Sequence, residues 1–225
     1  MCTFVYGKLK NKRHMKHLLV VICLFSCGLF AYSQQEVINL PAPVKSGGKP
    51  LMDVLSERKS YHGGFVDKDL DNQSLSNLLW AAYGFNRAEK RTVPSASNAQ
   101  EFDIYVLLRD GAYIYDAKAN TLKLVVAGSL KEHLAMDRQP YVKDVALHLV
   151  YVANLDKSKA GRDGVLLDTG YISQNVYLYC TSAGLGTVAR ASFSRKNLPI
   201  ALKLTDKQEI TLVQAVGPVD PAYAD

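Results

Sequence analysis

Cysteine is scarce in the sequence beyond its first 33 residues. Cys2, Cys23 and Cys27 all precede residue 34, so Cys180 stands alone in the rest of the 225-residue chain. One cysteine cannot form an internal disulfide, which excludes a disulfide-stabilised scaffold. Cys180 lies in an apolar stretch and is predicted to be a packed core thiol rather than a nucleophile.

The motifs of several common active sites are also missing. The sequence has no Gly-x-Gly-x-x-Gly fingerprint and no P-loop, so a Rossmann site is not predicted. It has no Gly-x-Ser-x-Gly elbow, which argues against a serine hydrolase. His133 and His148 lack the spacing of metal ligands, so no metal site is predicted.

Acidic residues are absent from positions 1–33, which contain five basic residues: Lys8, Lys10, Lys12, Arg13 and Lys16. Removing these five from the formal net charge of +6 leaves +1 for the rest of the chain. A nearly neutral body without a stripe of Lys and Arg offers no electrostatic footprint for a phosphate backbone. Nucleic-acid binding is therefore not expected.

An apolar run at residues 18–31 follows the basic start, and a small-x-small cleavage pattern ends at Ser33. The run has the length of a signal-peptide core and is short for a membrane span. We predict that residues 1–33 are a secretory signal peptide, with Met15 as an alternative start, and that the mature protein is exported to the periplasm. Two alternatives stay open, an uncleaved anchor and a lipoprotein anchored through Cys27.

The remaining sequence divides near Leu51. Residues 34–50 are rich in proline and glycine and have little periodicity, which predicts an extended N-terminal arm. Residues 51–225 are long enough to bury one substantial core, so a single domain is expected to begin near Leu51.

Helical and extended patterns are mixed along this domain, without an internal repeat. Residues 71–82 have the apolar spacing of an amphipathic helix, and residues 166–183 are apolar nearly all round, as in a central helix or one shared with a partner. The pattern predicts an α+β fold with a mostly antiparallel central sheet flanked by helices. Shorter helices are predicted at 51–60 and 195–202, and strands at 102–108, 112–116, 121–127, 145–153, 187–193 and 209–216.

A basic cluster at the exit of the first helix is the first candidate site. Arg58, Lys59 and Ser60, followed by His62, offer two cations and a hydroxyl, which suit a phosphate because charge-assisted hydrogen bonds are strong. The alternative is a solvated charge pair that complements the end of the helix.

Two further polar segments could bind a ring-shaped ligand. Residues 94–100 read Pro-Ser-Ala-Ser-Asn-Ala-Gln before a strand and either hydrogen-bond a heteroaromatic edge or form an ordinary turn. Gln174 and Asn175 precede a Gly-Leu-Gly-Thr turn at residues 184–187, which could equally be a helix cap.

In this order and spacing, the three segments resemble the FMN-dependent nitroreductase superfamily over about residues 51–217. The family has a first helix ending in Arg-Arg-Ser or Arg-His-Ser, then Pro-Ser-(Ser/Ala)-x-Asn-x-Gln before a strand, and a late Gly-Leu-Gly-Thr turn. Residues 78–82, 91–95 and 111–116 resemble more narrowly the SagB-type dehydrogenase branch.

The resemblance implies an FMN cofactor and a homodimer in which both subunits build each site. Arg58 and Lys59 would hold the FMN phosphate, with Ser60 and His62 along the ribityl chain and the pyrimidine edge. The segment that would reach the flavin of the other subunit consists of Pro94, Ser95, Ala96, Ser97 and Asn98.

The resemblance also implies contacts later in the chain. Ala191 and Ser192 would present backbone N–H groups near flavin N5 and O4, and Gln139 would contact the pyrimidine ring. One departure concerns the C-terminus, where many relatives place a cation on the phosphate. Residues 217–225 contain two aspartates and no cation, so phosphate binding would depend on the pair at positions 58 and 59.

The implied activity is hydride transfer through FMN, from a reduced donor such as NAD(P)H to a small organic acceptor such as a nitroaromatic or a quinone. Two alternatives stay open. One is a SagB-type dehydrogenase that acts on a peptide or a small molecule, and the other is a non-catalytic flavin- or ligand-binding envelope protein.

Overall fold

The computed structural model describes residues 36–134 and 139–223, which form an α+β fold around a seven-stranded sheet. The predicted signal peptide, including Cys27, lies outside the described residues. No helix in the described ranges is long and apolar enough to cross a membrane.

Helices and strands alternate irregularly along the chain. The α-helices are α1 (Leu51–Glu57), α2 (Asn72–Tyr83), α3 (Gly161–Ser182) and α4 (Asn197–Ala201). The strands are β1 (Val37–Asn39), β2 (Phe85–Arg87), β3 (Lys90–Arg91), β4 (Phe102–Leu107), β5 (Gly111–Asp116), β6 (Thr121–Ala127), β7 (Leu147–Asn154), β8 (Gly186–Arg190) and β9 (Gln208–Gly217).

The large sheet has the strand order β1-β6-β5-β4-β7-β9-β8, and its neighbouring strands are antiparallel. Strands β4, β5 and β6 form the predicted meander, in which Asn120 takes a left-handed φ of 54° at the second turn. Strand β7 lies between β4 and β9 and is buried along its length except at Asn154, as its continuous apolar run predicts. The predicted antiparallel sheet is thus confirmed.

The start of the fold differs from the prediction. The sheet begins at β1, which pairs with β6, and not near Leu51. Asn120 anchors this part of the chain, because its side-chain amide donates to the carbonyl of Pro41 at 2.8 Å and to Ser76 Oγ at 3.0 Å. Three residues are too few for a strand pattern to be recognised in a sequence, which explains the difference.

Helix α2 matches its predicted pattern closely. Asp71 caps the helix by accepting a hydrogen bond from the backbone N–H of Ser74 at 2.7 Å. The apolar positions of its core-facing side are all buried against the sheet and α3: Leu75, Leu78, Leu79 and Ala82.

Helix α3 is longer than predicted and is not buried all round. Its inner face includes polar residues as well as Ile172 and Val176, which are fully buried. Its outer face exposes Leu166, Leu167 and Tyr171, whose relative exposures are 44%, 64% and 47%. The apolar residues of α3 therefore lie on two faces of the helix, and only the inner face packs within the chain.

Two buried carboxyls meet where α3 crosses the start of β4. Glu101 is 1% exposed and Asp168 is 5% exposed, and Glu101 Oε2 and Asp168 Oδ2 have no hydrogen-bond partner among the described residues. Burial raises the pKa of Glu101, and the Asp168 carboxyl raises it further. The folded state therefore keeps a proton that the unfolded chain has already lost at the same pH.

We expect this carboxyl to lower stability as the pH rises. Between the ordinary pKa of glutamate and the raised one, the folded state binds more protons, so the free energy of unfolding falls with increasing pH. Glu101→Gln should weaken this dependence and gain roughly 1 kcal/mol at pH 8, because it removes a buried, unpaired carboxylate. Urea unfolding between pH 5 and 8 measures both effects, and Glu89→Gln is the control because that side chain is 75% exposed. A parallel pH profile for wild type and Glu101→Gln would contradict the prediction.

Candidate functional site

Two segments that are distant in sequence meet beside β8. The segment after α1 lies along this strand, where Tyr61 N donates to Thr187 O at 3.1 Å. Tyr177, on α3, then joins the two: its hydroxyl accepts a hydrogen bond from Ala189 N at 2.9 Å and lies 2.8 Å from Ser60 Oγ. The predicted residues 58–62 are therefore held next to the strand that leads to residues 191 and 192.

The two predicted phosphate ligands lie at the edge of this junction. The Arg58 guanidinium lies 5.2 Å from the ring centre of Tyr177, and Lys59 Nζ lies 5.3 Å from that of Tyr61. Both side chains are partly exposed, and neither forms an ion pair with any described residue. The adjacent Glu57 pairs instead with Lys49, so both cations are free to bind an anion.

A cleft of about 630 Å³ opens in front of these cations. This volume is typical of pockets for small molecules and cofactors. Arg58, Lys59 and Tyr61 line one side, and the predicted glycine turn contributes Gly184 and Leu185. The basic segment and the glycine turn, which were separate predictions, thus share one cleft.

The C-terminal segment forms a wall of the same cleft. Pro218 O accepts from Val66 N at 2.9 Å, and Asp220 N donates to Gly64 O at 2.8 Å. This packing leaves no room for a side chain at Gly186, because a Cβ there would run into Val219. Val219 and Pro221 line the cleft, so the described part of the tail adds apolar surface there and no cation.

His62 and Gln139 lie near a second buried cluster. The ring of His62 is edge-on to Tyr141, with 6.4 Å between the ring centres. Gln139 Oε1 accepts hydrogen bonds from Arg190 Nε at 2.9 Å and Arg190 Nη2 at 2.7 Å. The side-chain oxygen of Gln139 is thus engaged by Arg190, and only its amide nitrogen could serve the predicted contact with a pyrimidine ring.

Ala191 and Ser192 are exposed immediately after β8. Ser192 O accepts from Arg190 Nη2 at 2.9 Å, and Ala191 O accepts from Arg195 Nη2 at 3.5 Å. The backbone N–H groups of these two residues make no hydrogen bond to the described part of the chain. These two N–H groups are therefore available as hydrogen-bond donors, as their predicted contact with flavin N5 and O4 requires.

Residues 94–98 lie apart from this cleft in the single chain. Pro94, Ser95 and Asn98 line a different cleft of about 400 Å³, which shares no lining residue with the one at Arg58. Ala96 begins a short 3-10 turn, Ala96–Asn98. A single chain therefore does not bring the two predicted halves of the site together.

This turn has an unusual backbone. Ser97, Asn98 and Gln100 have positive φ angles of 52°, 55° and 49°. Such angles cost energy for residues other than glycine and tend to persist at functional sites. Arg91 Nε holds the turn by donating to Gln100 Oε1 at 3.0 Å, and Ser95 Oγ accepts from Gln100 N at 3.0 Å. The turn is thus rigidly shaped before any ligand binds.

Asn175, which precedes the glycine turn in the sequence, makes a contact within the chain. Its side-chain amide donates to Ala81 O at 3.0 Å, so it joins α3 to α2 and does not line the cleft at Arg58. Two residues central to the site, Tyr177 and Arg190, are absent from the predicted set. In the sequence, Tyr177 looks like an ordinary aromatic core residue, and Arg190 looks like one cation in a strand.

Comparison with known proteins agrees with this geometry. The model of the nitroreductase family matches residues 55–218. A protein of Methanocaldococcus jannaschii named as a nitroreductase is 30% identical over 181 residues, which cover 74% of this chain and 90% of that protein. The chain belongs to the nitroreductase family. It is therefore an oxidoreductase of the flavin-dependent kind, and the predicted family is confirmed.

Solved structures extend the match to the fold. A nitroreductase-type structure from Ralstonia eutropha JMP134 has a TM-score of 0.74 at 35% identity, covering 82% of this chain and 90% of that one. A nitroreductase-type protein from Desulfovibrio desulfuricans, solved with FMN, has a TM-score of 0.59 at 16% identity over 77% of this chain and 88% of that one. The Escherichia coli microcin synthetase complex McbBCD gives 0.67 at 18% identity over 96% of this chain and 85% of the matched chain. The last two matches show a shared fold alone.

Within this nitroreductase fold, we expect the Tyr177 hydroxyl to be needed for the junction at β8. Tyr177→Phe should lower the free energy of unfolding by roughly 1 to 3 kcal/mol, because Ala189 N and Ser60 Oγ both lose their partner. Tyr171→Phe is a matched control on the same helix, since that ring is 47% exposed. Urea unfolding of the three proteins measures the difference. Equal losses in the two variants would contradict a special role for Tyr177.

Proposed function

We propose that this chain is an FMN-dependent oxidoreductase that transfers hydride from a reduced donor, such as NAD(P)H, to a small organic acceptor, such as a nitroaromatic or a quinone. One observation carries the proposal: two cations without acidic partners, Arg58 and Lys59, face a cleft whose other side is the glycine turn before β8. A phosphate-bearing, ring-shaped ligand matches both ends of this cleft.

The described residues fit FMN in a defined order. Arg58 and Lys59 would bind the phosphate, since charged donors form the strongest hydrogen bonds to it. Ser60 and His62 follow toward the ring, and the open N–H groups of Ala191 and Ser192 would face the flavin edge.

Bound FMN supplies the redox chemistry, so the protein needs few acidic or basic side chains. Its task is to orient the cofactor and to restrict access to one face of the ring. We also propose that the mature chain is exported to a compartment where reduced nicotinamides are not expected in quantity. A SagB-type dehydrogenase remains the second candidate, because residues 78–82, 91–95 and 111–116 resemble that branch.

The direct test is cofactor binding. Residues 34–225, purified from a bacterial host, should be yellow or become yellow when FMN is added. Reduction under anaerobic conditions by NADH, NADPH or dithionite then identifies the class of donor. A colourless protein that ignores FMN in titration would overturn the proposal and favour the non-catalytic alternative.

Arg58→Ala should weaken FMN binding by roughly 10- to 100-fold, because a hydrogen bond to a charged group is worth about 1.5 to 3 kcal/mol. No cation in the described C-terminal segment is available to compensate. Arg162→Ala is the control, since Arg162 is exposed and pairs with Glu209 at 2.8 Å outside the cleft. Fluorescence titration with FMN measures the affinities, and unchanged binding in Arg58→Ala would refute the phosphate assignment.

We propose further that two copies of the chain form a symmetric dimer that completes each site. The exposed apolar side chains of α3, including Leu167 and Tyr171, would be covered by the partner. The same dimer would bring residues 94–98 of the partner subunit to the cleft, which explains why a single chain keeps them apart.

Leu167→Glu should therefore give a monomer with FMN affinity at least roughly tenfold weaker, because a symmetric interface would bury two unpaired carboxylates. Ile200→Glu is the matched control, because Ile200 is 69% exposed on α4. Light scattering gives the oligomeric state and titration gives the affinity. A wild-type monomer with FMN bound would contradict the shared site.

A further inference from the structure

Arg190 is a buried cation at the end of β8. It is 3% exposed, and its side chain joins three parts of the chain. Besides the two bonds to Gln139 Oε1, its Nη2 donates to Leu134 O at 2.8 Å and to Ser192 O at 2.9 Å. Arg190 therefore fixes the exposed turn after β8 against the segment that begins at Gln139.

The charge of Arg190 has no counter-ion among the residues that the structure describes. All its acceptors are neutral carbonyl oxygens, and it forms no ion pair with a described residue. Its Nη1 is buried without a partner, and so is the hydroxyl of Tyr141. A buried, unpaired charge costs several kcal/mol, so an arrangement that keeps one is unusual outside a functional site.

The ionisable side chains next to Arg190 do not neutralise its charge. His148 lies on the same face of the sheet, and burial, reinforced by the Arg190 charge, lowers its pKa to about 3. His148 is therefore neutral at physiological pH, and Tyr141 is kept neutral because burial raises its pKa. Arg190 is thus a buried cation whose ionisable neighbours His148 and Tyr141 are both neutral.

We propose that Arg190 stabilises the negative charge of the reduced flavin and thereby raises the reduction potential of the bound cofactor. This inference rests on the proposed function. When a donor C–H bond breaks and its hydride forms the new N–H bond at flavin N5, both electrons enter the ring, and the ring carries one negative charge. A fixed cation in a poorly solvated site favours that state over the neutral oxidised one.

The geometry supports this role because Arg190 hydrogen-bonds two residues that were predicted to contact the flavin ring, Gln139 and Ser192. It also directly precedes Ala191, whose backbone N–H makes no hydrogen bond to the described part of the chain. A higher potential would allow a donor weaker than a reduced nicotinamide to deliver the hydride. This would suit a site whose donor is not a cytoplasmic nicotinamide.

The test is the reduction potential of bound FMN, measured by equilibration with a reference dye under anaerobic conditions. Arg190→Met should shift the oxidised-to-reduced equilibrium roughly tenfold toward oxidised flavin, which is about 30 mV for a two-electron couple. Arg190→Lys should stay near the wild-type potential because it keeps the charge. Arg195→Met is the control, since this neighbouring guanidinium is exposed. If Arg190→Met does not fold, Arg190→Gln replaces it, because an amide can still donate to Ser192 O.

Each outcome decides a separate claim. An unchanged potential in the neutral Arg190 variants, or an equal shift in Arg195→Met, would overturn the role of the Arg190 charge while leaving the proposed function intact. A shift in Arg190→Lys as large as that in Arg190→Met would also overturn it, since the hydrogen-bonding geometry and not the charge would then control the potential. A wild-type protein that binds no FMN in titration would overturn both proposals.

Discussion

The hydroxyl of Tyr177 is the contact on which the candidate site depends. One oxygen serves the segment after α1 through Ser60 and the strand β8 through Ala189, and the ring below it faces the Arg58 guanidinium. The position of this oxygen is set by the burial of α3 against the sheet, since Ile172, Val176 and Cys180 are fully buried on that helix. A rotation of α3 would remove the link that Tyr177 makes between Ser60 and β8, and would leave the backbone bond from Tyr61 N to Thr187 O to hold residues 58–62 beside that strand.

Much of the fold could be predicted from the sequence because short sequence patterns determine its helices and hairpins. The i, i+3, i+4, i+7 spacing of α2 corresponds to a fully packed face, and the hairpin turns of β4–β6 are encoded by short polar segments. The junction at Tyr177 is different, since it links positions 117 residues apart. Neither side chain has a local feature that reveals its partner. The resemblance to a family supplied residues 58–62, 191 and 192, but the residue that joins them was found only in three dimensions.

The C-terminal segment shows how one chain can depart from its relatives and keep the cleft. Its aspartate at 220 does not face a cation, because its backbone N–H binds Gly64 and its carboxylate accepts from Ala222 N at 2.9 Å. Val219 pairs with Phe65 across an isolated bridge and fits against β8 only because residue 186 is glycine. The tail thus closes the cleft by packing, which leaves electrostatic binding of an anion to the helix exit at Arg58 and Lys59.

Arg58, Lys59 and Arg190 differ from several other cations in having no acidic partner among the described residues. Elsewhere, several cations are matched to nearby acids, as in Arg109 with Asp67 and Asp69, Arg162 with Glu209, and Lys123 with Asp116. Arg58, Lys59 and Arg190 instead have aromatic rings and carbonyl oxygens as neighbours and form no ion pair with a described residue. Glu57, which also lines the cleft, is paired with Lys49. Arg58 and Lys59 are partly exposed, as the proposed contact with a solvated phosphate requires. Arg190 is buried, and a charge in a poorly solvated site is screened less, which is the physical basis of its proposed effect on the flavin.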